Sequence, residues 1–156
     1  MAQIHTRLYE SKEFEKISFI SQIRDQVAAL SSIYSHKGHE ISCEIHDQDL
    51  FLPVDQAIPC ALVMNEILSN AYKHAFKGRK HGSIDISATQ ENGQIIITVR
   101  DDGIGIPDDF DISGTTSLGM KLIRTLVQHQ LKGSLMVKNK NGTQISIEFP
   151  VTVAGI

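Results

Sequence analysis

The chain has 156 residues, of which 41% are hydrophobic and 21% are charged; these proportions are typical of one globular domain with a single core. Its 18 acidic and 15 basic residues give a net charge of -3, which disfavours binding to a nucleic-acid backbone. No apolar stretch reaches the ~18 to 20 residues of a membrane-spanning helix, and no signal-peptide pattern follows Met1. Cys43 and Cys60 form no CxxC pair, which favours reduced, buried thiols. We therefore expect a cytoplasmic protein without membrane contact.

The first half of the sequence predicts helices separated by one strand. Apolar residues between positions 19 and 33 recur every three or four residues, which predicts an amphipathic helix with Ser18 as its N-cap and Lys37-Gly38 at its end. Alternation over 39–46 predicts a half-buried strand. Pro53 opens a long helix that we expect to run to about Phe76 and to stop at Gly78.

The second half predicts two hairpins. The first joins 83–89 to 94–100 through the turn at 91–93, and the second joins 134–138 to 143–149. Between them, residues 101–119 are rich in glycine and lack periodicity, which predicts a long functional loop, and a helix follows from 118 to about 131. The order ααβαββ, loop, αββ predicts an α+β domain with two layers, in which helices cover one face of a mixed, mostly antiparallel sheet.

Four polar residues, Glu66, Asn70, Lys73 and His74, fall on one face of the long predicted helix, opposite an apolar face. Such a stripe can simply be the solvent-exposed side of an amphipathic helix. However, asparagine is a poor helix former, and an asparagine one turn from a carboxylate suits a Mg²⁺ ion that takes oxygen ligands. Both interpretations remain open on spacing alone.

The loop after the predicted strand 94–100 places Asp101 before Gly103 and Gly105, two glycines that let the backbone approach a ligand closely. The sequence contains neither a Rossmann fingerprint nor a Walker A loop. A plain β-turn is an alternative for this segment. Ser117 and Gly119 lie at the start of the last predicted helix, where exposed amides attract anions, which favours a phosphate ligand.

Three ordered segments together resemble one family. Residues 65–76 resemble the N box, residues 101–105 the G1 box and residues 116–120 the G2 box of the GHKL ATPases, which have the Bergerat fold. Within that superfamily the chain is most similar to the ATP-binding catalytic domain of sensor histidine kinases. The stretch from Ile4 to Phe19 resembles the segment that joins their dimerisation helices to this domain, so we expect a linker at 1–17 and the catalytic domain at 18–156.

The resemblance implies ATP and Mg²⁺ as ligands and assigns a role to each matching position. Asp101 would accept a hydrogen bond from the adenine amino group, and Asn70 would ligate Mg²⁺. Glu66 fills the other N-box position and, with Lys73, is assigned to catalysis. The other implied nucleotide contacts are Lys73 and His74 near the phosphates or lid, Gly103 and Gly105 around the nucleotide, Ser117 and Gly119 facing the phosphates, and Thr143 supporting Asp101 through water.

The resemblance implies an ATP-dependent protein histidine kinase, represented by its catalytic domain. It would transfer the γ-phosphate to a histidine on a separate dimerisation domain and act on a response regulator indirectly. The pattern departs from the family in two places: only Gly114 precedes the G2 box, and only Phe110 could represent the phenylalanine box. We therefore expect a short lid. We also expect no acceptor histidine in the chain, since His5 lies in the linker.

Three other functions stay open: an anti-sigma-factor-type serine kinase, a non-catalytic switch that binds adenine nucleotides, and an ATPase that uses Glu66 as its base. A zinc site at His36, His39 and Cys43 is disfavoured, because no fourth ligand follows at zinc-site spacing.

Overall fold

The structure is a computed structural model that describes residues 16–47, 50–106 and 118–152. Two π-helical segments, Ala71–Ala75 and Leu126–Gln130, extend the second and third helices. Among the described residues no helix is both long and apolar enough to cross a membrane. The elements in chain order are β1 (Lys16–Ser18), α1 (Phe19–His36), β2 (Glu40–Asp47), β3 (Phe51–Pro53), α2 (Val54–Asn70), β4 (His81–Glu91), β5 (Gln94–Asp101), α3 (Leu118–Thr125), β6 (Ser134–Asn139) and β7 (Thr143–Pro150).

The main sheet has five strands in the order β2-β4-β5-β7-β6. β2 pairs with β4 in parallel, and the other three pairs are antiparallel. Along the inner strands, fully buried residues alternate with half-buried or exposed ones, so one face of the sheet packs against the helices. The predicted α+β fold, with its two layers and its mixed, mostly antiparallel sheet, is confirmed.

The core lies between this sheet and α2. The apolar face predicted for the long helix is buried, and it packs against the isoleucines of the central strands. Burial of this face is the main source of stability for the helix, because propensity alone contributes little. The same packing turns the polar face of the helix toward the loop after β5.

The predicted start of α1 is confirmed: the Ser18 hydroxyl accepts a hydrogen bond from the Ser21 amide at 3.3 Å, as expected of an N-cap. Lys37 caps the other end, as predicted. The turn between β4 and β5 also has the predicted form, with positive φ at Asn92 and Gly93.

The sequence did not predict the small antiparallel sheet formed by β1 and β3, in which Ile17 lies opposite Leu52. Strands of three residues are too short to show a period of two. The Phe19 amide also donates to the Leu50 carbonyl at 2.9 Å, so the start of α1 is tied to the residue just before β3. Lys16 and Ile17 belong to the predicted linker, whose other residues lie outside the described part of the chain. Of the two helices in the predicted order before β2, the described residues contain one, α1.

The long helix ends near Phe76, as predicted, but its last turn is not α-helical. The α-helical geometry ends at Asn70 and continues as a π-helical segment through Ala75. The Ala75 carbonyl accepts a hydrogen bond from the Ile104 amide at 2.9 Å, outside the helix. A tertiary contact of this kind leaves no local pattern in the sequence. The last predicted helix likewise changes from α to π geometry after Thr125.

Candidate functional site

A cavity of about 220 Å³ opens where the C-terminal end of α2, the end of β5, the start of β7 and the start of α3 meet. Small-molecule pockets typically measure about 300 to 1,000 Å³, so this one has the size of one end of a larger ligand. Its walls are mainly apolar, and its polar groups are few. The residues that line it are Ile67, Asn70, Ala71, His74, Ala75, Val99, Asp101, Ile104, Gly105, Ile106, Met120, Val137, Thr143 and Ile145.

Asp101 is the buried charged group of this cavity, with only 6% of its surface exposed. Its Oδ1 atom accepts hydrogen bonds from the Gly103 amide at 2.9 Å and the Thr143 amide at 3.1 Å. Within the three described segments no donor contacts its Oδ2 atom. The backbone therefore fixes the carboxylate through one oxygen, and the second oxygen is the acceptor that Asp101 offers to a ligand.

Burial raises the pKa of Asp101 above its usual value, because desolvation disfavours the charged form. The two backbone hydrogen bonds from Gly103 and Thr143 oppose this shift. The neighbouring charge of Asp102 adds to it, and the charge of Arg79 opposes it. A donor group that reaches Oδ2 would meet an anion in a poorly solvated place, where a hydrogen bond is stronger than in water.

Asp102 holds the turn that follows Asp101. Its Oδ1 atom accepts from the Ser83 amide at 2.9 Å, and its Oδ2 atom lies 3.4 Å from the Arg79 guanidinium, which also donates to the Asp102 carbonyl. Slight desolvation raises the pKa of Asp102, but the bond from Ser83 and the charge of Arg79 outweigh it, so the pKa lies below its usual value. This network joins the turn to β4 and to the segment after α2.

Two glycines allow the close backbone contacts around Asp101. A Cβ atom at Gly103 would clash with the Ala75 carbonyl oxygen, so the loop and the end of the helix meet backbone to backbone. A Cβ atom at Gly142 would clash with the Asp101 carbonyl oxygen, and Gly142 has a φ of +130°, a conformation open mainly to glycine. The sequence analysis missed Gly142 as a site residue, because its Asn-Gly turn also fits an ordinary hairpin.

Glu66, Asn70 and Gly119 lie close together, and Asn70 also lines the cavity. A Cβ atom at Gly119 would lie 3.1 Å from Glu66 Oε2 and 3.6 Å from Asn70 Nδ2. Asn70 Nδ2 lies 3.8 Å from Met120 Sδ. A thioether sulfur only accepts hydrogen bonds, so this contact uses the Asn70 NH₂ group. The Asn70 Oδ1 atom stays available as a ligand for a metal ion. This carboxylate and amide oxygen, one helical turn apart, fit a hard cation such as Mg²⁺.

The structure does not bring all the predicted site residues into the same environment. His74 lines the cavity and is exposed, and Lys73 is exposed on the same π-helical segment. Thr143 contacts Asp101 directly through its amide, and the predicted water-mediated role of its hydroxyl remains a prediction. Ser117 lies outside the described residues, as do Phe110 and Gly114.

His39 and Cys43, two residues of the disfavoured zinc site, are described by the structure, as is Cys60. The His39 Nδ1 atom lies 2.9 Å from the Arg79 carbonyl oxygen. Cys43 and Cys60 are free thiols; Cys60 is buried, as expected, whereas Cys43 is only half-buried. Desolvation raises their pKa values to about 11 for Cys43 and about 12 for Cys60. Thiols of this kind are not reactive at neutral pH.

The sheet, the helices on one of its faces and the cavity beside Asp101 define an α+β domain with a candidate small-molecule site. The chain matches the family described as histidine kinase-, DNA gyrase B- and HSP90-like ATPase over residues 55–153, and it belongs to this family. Within it, the chain is a GHKL domain of the type found in sensor histidine kinases, which confirms the resemblance.

Its relatives include the sensor histidine kinase PdtaS of Mycobacterium tuberculosis, with 35% identity over 64% of this chain and 21% of the relative. Blue-light-activated histidine kinase 2 of Erythrobacter litoralis is 29% identical over 91% of this chain and 41% of its own length. The chain thus spans less than half of these curated relatives.

Solved structures show the same fold. The blue-light-activated histidine kinase EL346 of Erythrobacter litoralis superposes with a TM-score of 0.74 at 30% identity, covering 92% of this chain and 50% of that one. The catalytic domain of the histidine kinase ThkA superposes with a TM-score of 0.73 at 19% identity, covering 88% of this chain and 97% of that one.

Gly142→Ala tests whether the turn between β6 and β7 must contact Asp101 closely. We expect it to lower the free energy of unfolding by roughly 1 to 3 kcal/mol more than Gly93→Ala, because the added methyl group would overpack the Asp101 backbone. Gly93 is the matched control, since it also has a positive φ but has open space around it. Urea denaturation measures both variants, and equal losses would mean that backbone strain alone explains the glycine.

Proposed function

We propose that this chain is the ATP-binding catalytic domain of a sensor histidine kinase, and that it presents Mg-ATP for transfer of the γ-phosphate to a histidine on a separate dimerisation domain. The observation that carries the proposal is the environment of Asp101, which lines the cavity and whose Oδ1 atom is held by two amides, while no donor among the described residues contacts its Oδ2 atom. The proposal retains the division into a linker at 1–17 and a catalytic domain at 18–156, and it places the domain in the cytoplasm.

The Asp101 Oδ2 atom suits adenine in particular. A carboxylate accepts from the exocyclic amino group of adenine, whereas guanine has a carbonyl at the equivalent position, which would face the carboxylate as a second acceptor. Apolar side chains such as Val99, Ile104 and Ile145 line the same cavity and suit the faces of a flat base. Burial of the base also removes water that would weaken the hydrogen bond.

The phosphates would lie on the side of Glu66, Asn70 and Gly119. Asn70 Oδ1 and the Glu66 carboxylate would hold Mg²⁺, directly or through its water ligands, and a bound Mg²⁺ would neutralise phosphate charge. Gly119 brings the start of α3 next to this pair, and amides at a helix start favour anions. Lys73, His74 and Ser117 are proposed contacts to the phosphates or the lid.

The transfer step requires a nucleophilic nitrogen in line with the γ-phosphate. His74, the one histidine among the cavity-lining residues, lies on the helical segment that also forms the cavity wall, a position that suits binding rather than attack. The acceptor is therefore proposed on another domain. The relatives are sensor histidine kinases, and ThkA has been solved in complex with the response regulator TrrA; a response regulator is accordingly the proposed indirect partner.

Two substitutions should separate base recognition from metal binding. We expect Asp101→Asn to weaken adenosine and Mg-ATP alike by at least ~2 kcal/mol, because an amide nitrogen replaces the Oδ2 acceptor and a charge-assisted hydrogen bond is lost. We expect Asn70→Ala to weaken Mg-ATP while adenosine binds almost as before. Isothermal titration calorimetry with both ligands measures all four affinities.

Each variant serves as the control for the other, since each changes one polar lining residue and leaves the apolar lining residues as they are. Unchanged adenosine binding in Asp101→Asn would remove Asp101 from the base site. Equal losses for adenosine and Mg-ATP in Asn70→Ala would mean that Asn70 supports the fold and does not bind the metal.

Phosphotransfer is tested with γ-labelled ATP. The chain alone should acquire no acid-labile phosphohistidine, whereas a histidine-bearing dimerisation domain of the same kinase, added as a separate polypeptide, should be labelled. Asp101→Asn is the control and should abolish this labelling. Stable label on a serine of a partner would favour the serine kinase, steady-state hydrolysis without transfer would favour the ATPase, and binding without either would favour a nucleotide-dependent switch.

A further inference from the structure

The turn between β6 and β7 contacts the loop after β5 at two separate places. At one end of the turn, the Thr143 amide donates to Asp101 Oδ1 at 3.1 Å. At the other end, the Asn139 Nδ2 atom donates to the Ile106 carbonyl at 2.8 Å. One hairpin turn therefore holds both the carboxylate and the segment that lies four to five residues after it.

Asn139 also lies close to Gly105, the residue before Ile106. Gly105 has a φ of +78°, and a Cβ atom at this position would lie 2.5 Å from Asn139 Oδ1. The side chain of Asn139 thus covers the space that a larger residue at 105 would need. Gly105 and Ile106 both line the cavity, so a shift of this segment would change the shape of the cavity wall.

We propose that Asn139 is a positioning residue for the nucleotide site, and that its amide holds the Gly105–Ile106 segment at the distance from Asp101 that a base requires. Asn139 does not line the cavity and acts through the Ile106 carbonyl. This inference rests on the proposed function, because it assigns a role in binding the same base.

The Gly105–Ile106 segment has to be held in place because Asp101 is buried beside it in the same cavity. The Asp101 carboxylate can select a base only if the opposite wall stays in place, since hydrogen bonds weaken steeply with distance and angle. The Gly103 and Ile104 amides fix the first part of the loop to Asp101 and Ala75. Asn139 supplies the next fixed point along the chain, just before residues 107–117.

The test compares Asn139→Asp with Asn92→Asp. Asn139→Asp keeps the shape of the side chain but removes the donor to the Ile106 carbonyl, and Asn92→Asp makes the same change in the exposed turn of the other hairpin. Uncharged adenosine is the ligand, so that the added negative charge does not act on phosphates. We expect Asn139→Asp to bind adenosine about two- to tenfold more weakly, the range of one hydrogen bond, and Asn92→Asp to bind it like the wild type.

Two further readouts separate positioning from a general loss of stability. Urea denaturation should give the two variants similar free energies of unfolding, and hydrogen exchange of the nucleotide-free protein should be faster over 102–106 in Asn139→Asp alone. Unchanged adenosine affinity in Asn139→Asp, with or without faster exchange, would overturn the positioning role. If the wild type itself fails to bind adenosine, the proposed function fails, and unchanged exchange over 102–106 would then show separately that Asn139 does not hold the loop.

Discussion

The site depends on one carboxylate, Asp101. Its Oδ1 atom accepts hydrogen bonds from two amides that come from different parts of the chain. The Gly103 amide follows two residues later, and the Thr143 amide comes from the start of β7. These two bonds compensate part of the cost of burying a charge, and burial still raises the pKa. The protein thus keeps an acceptor in a place where an unliganded charge is unfavourable, as is common at functional sites.

The surrounding structure keeps this carboxylate in place by close backbone contacts. Gly142 lies against the Asp101 carbonyl, and Gly103 lies against the Ala75 carbonyl at the end of the π-helical segment. Arg79 and Asp102 attach the same turn to β4. The long helix contributes its apolar face to the core and its polar face, with Glu66 and Asn70, to the cavity side, so one element supports both the fold and the site.

The sequence predicted most of the fold because its strands and helices have clear periods and its turns contain residues with special backbone preferences, such as Asn92 and Gly93. It also predicted Asp101, Asn70 and Gly119 through the resemblance of three ordered segments. It could not predict β1 and β3, which are too short to show a pattern, or the π-helical turn at the end of the long helix, which has no signal in the local sequence. Gly142 and Asn139 were missed because their roles arise from contacts between distant segments.

The most direct test of the central claim is the pKa of the Asp101 carboxyl group, measured by NMR in the free protein and with adenosine bound. We expect the Asp101 pKa to lie above its usual value in the free protein and to be lower in the complex, because a donor to Oδ2 stabilises the charged form. By linkage, adenosine affinity should then rise as the pH increases through the free-state pKa. An Asp101 pKa that does not change when adenosine binds would contradict the claim that this carboxylate accepts a hydrogen bond from the base.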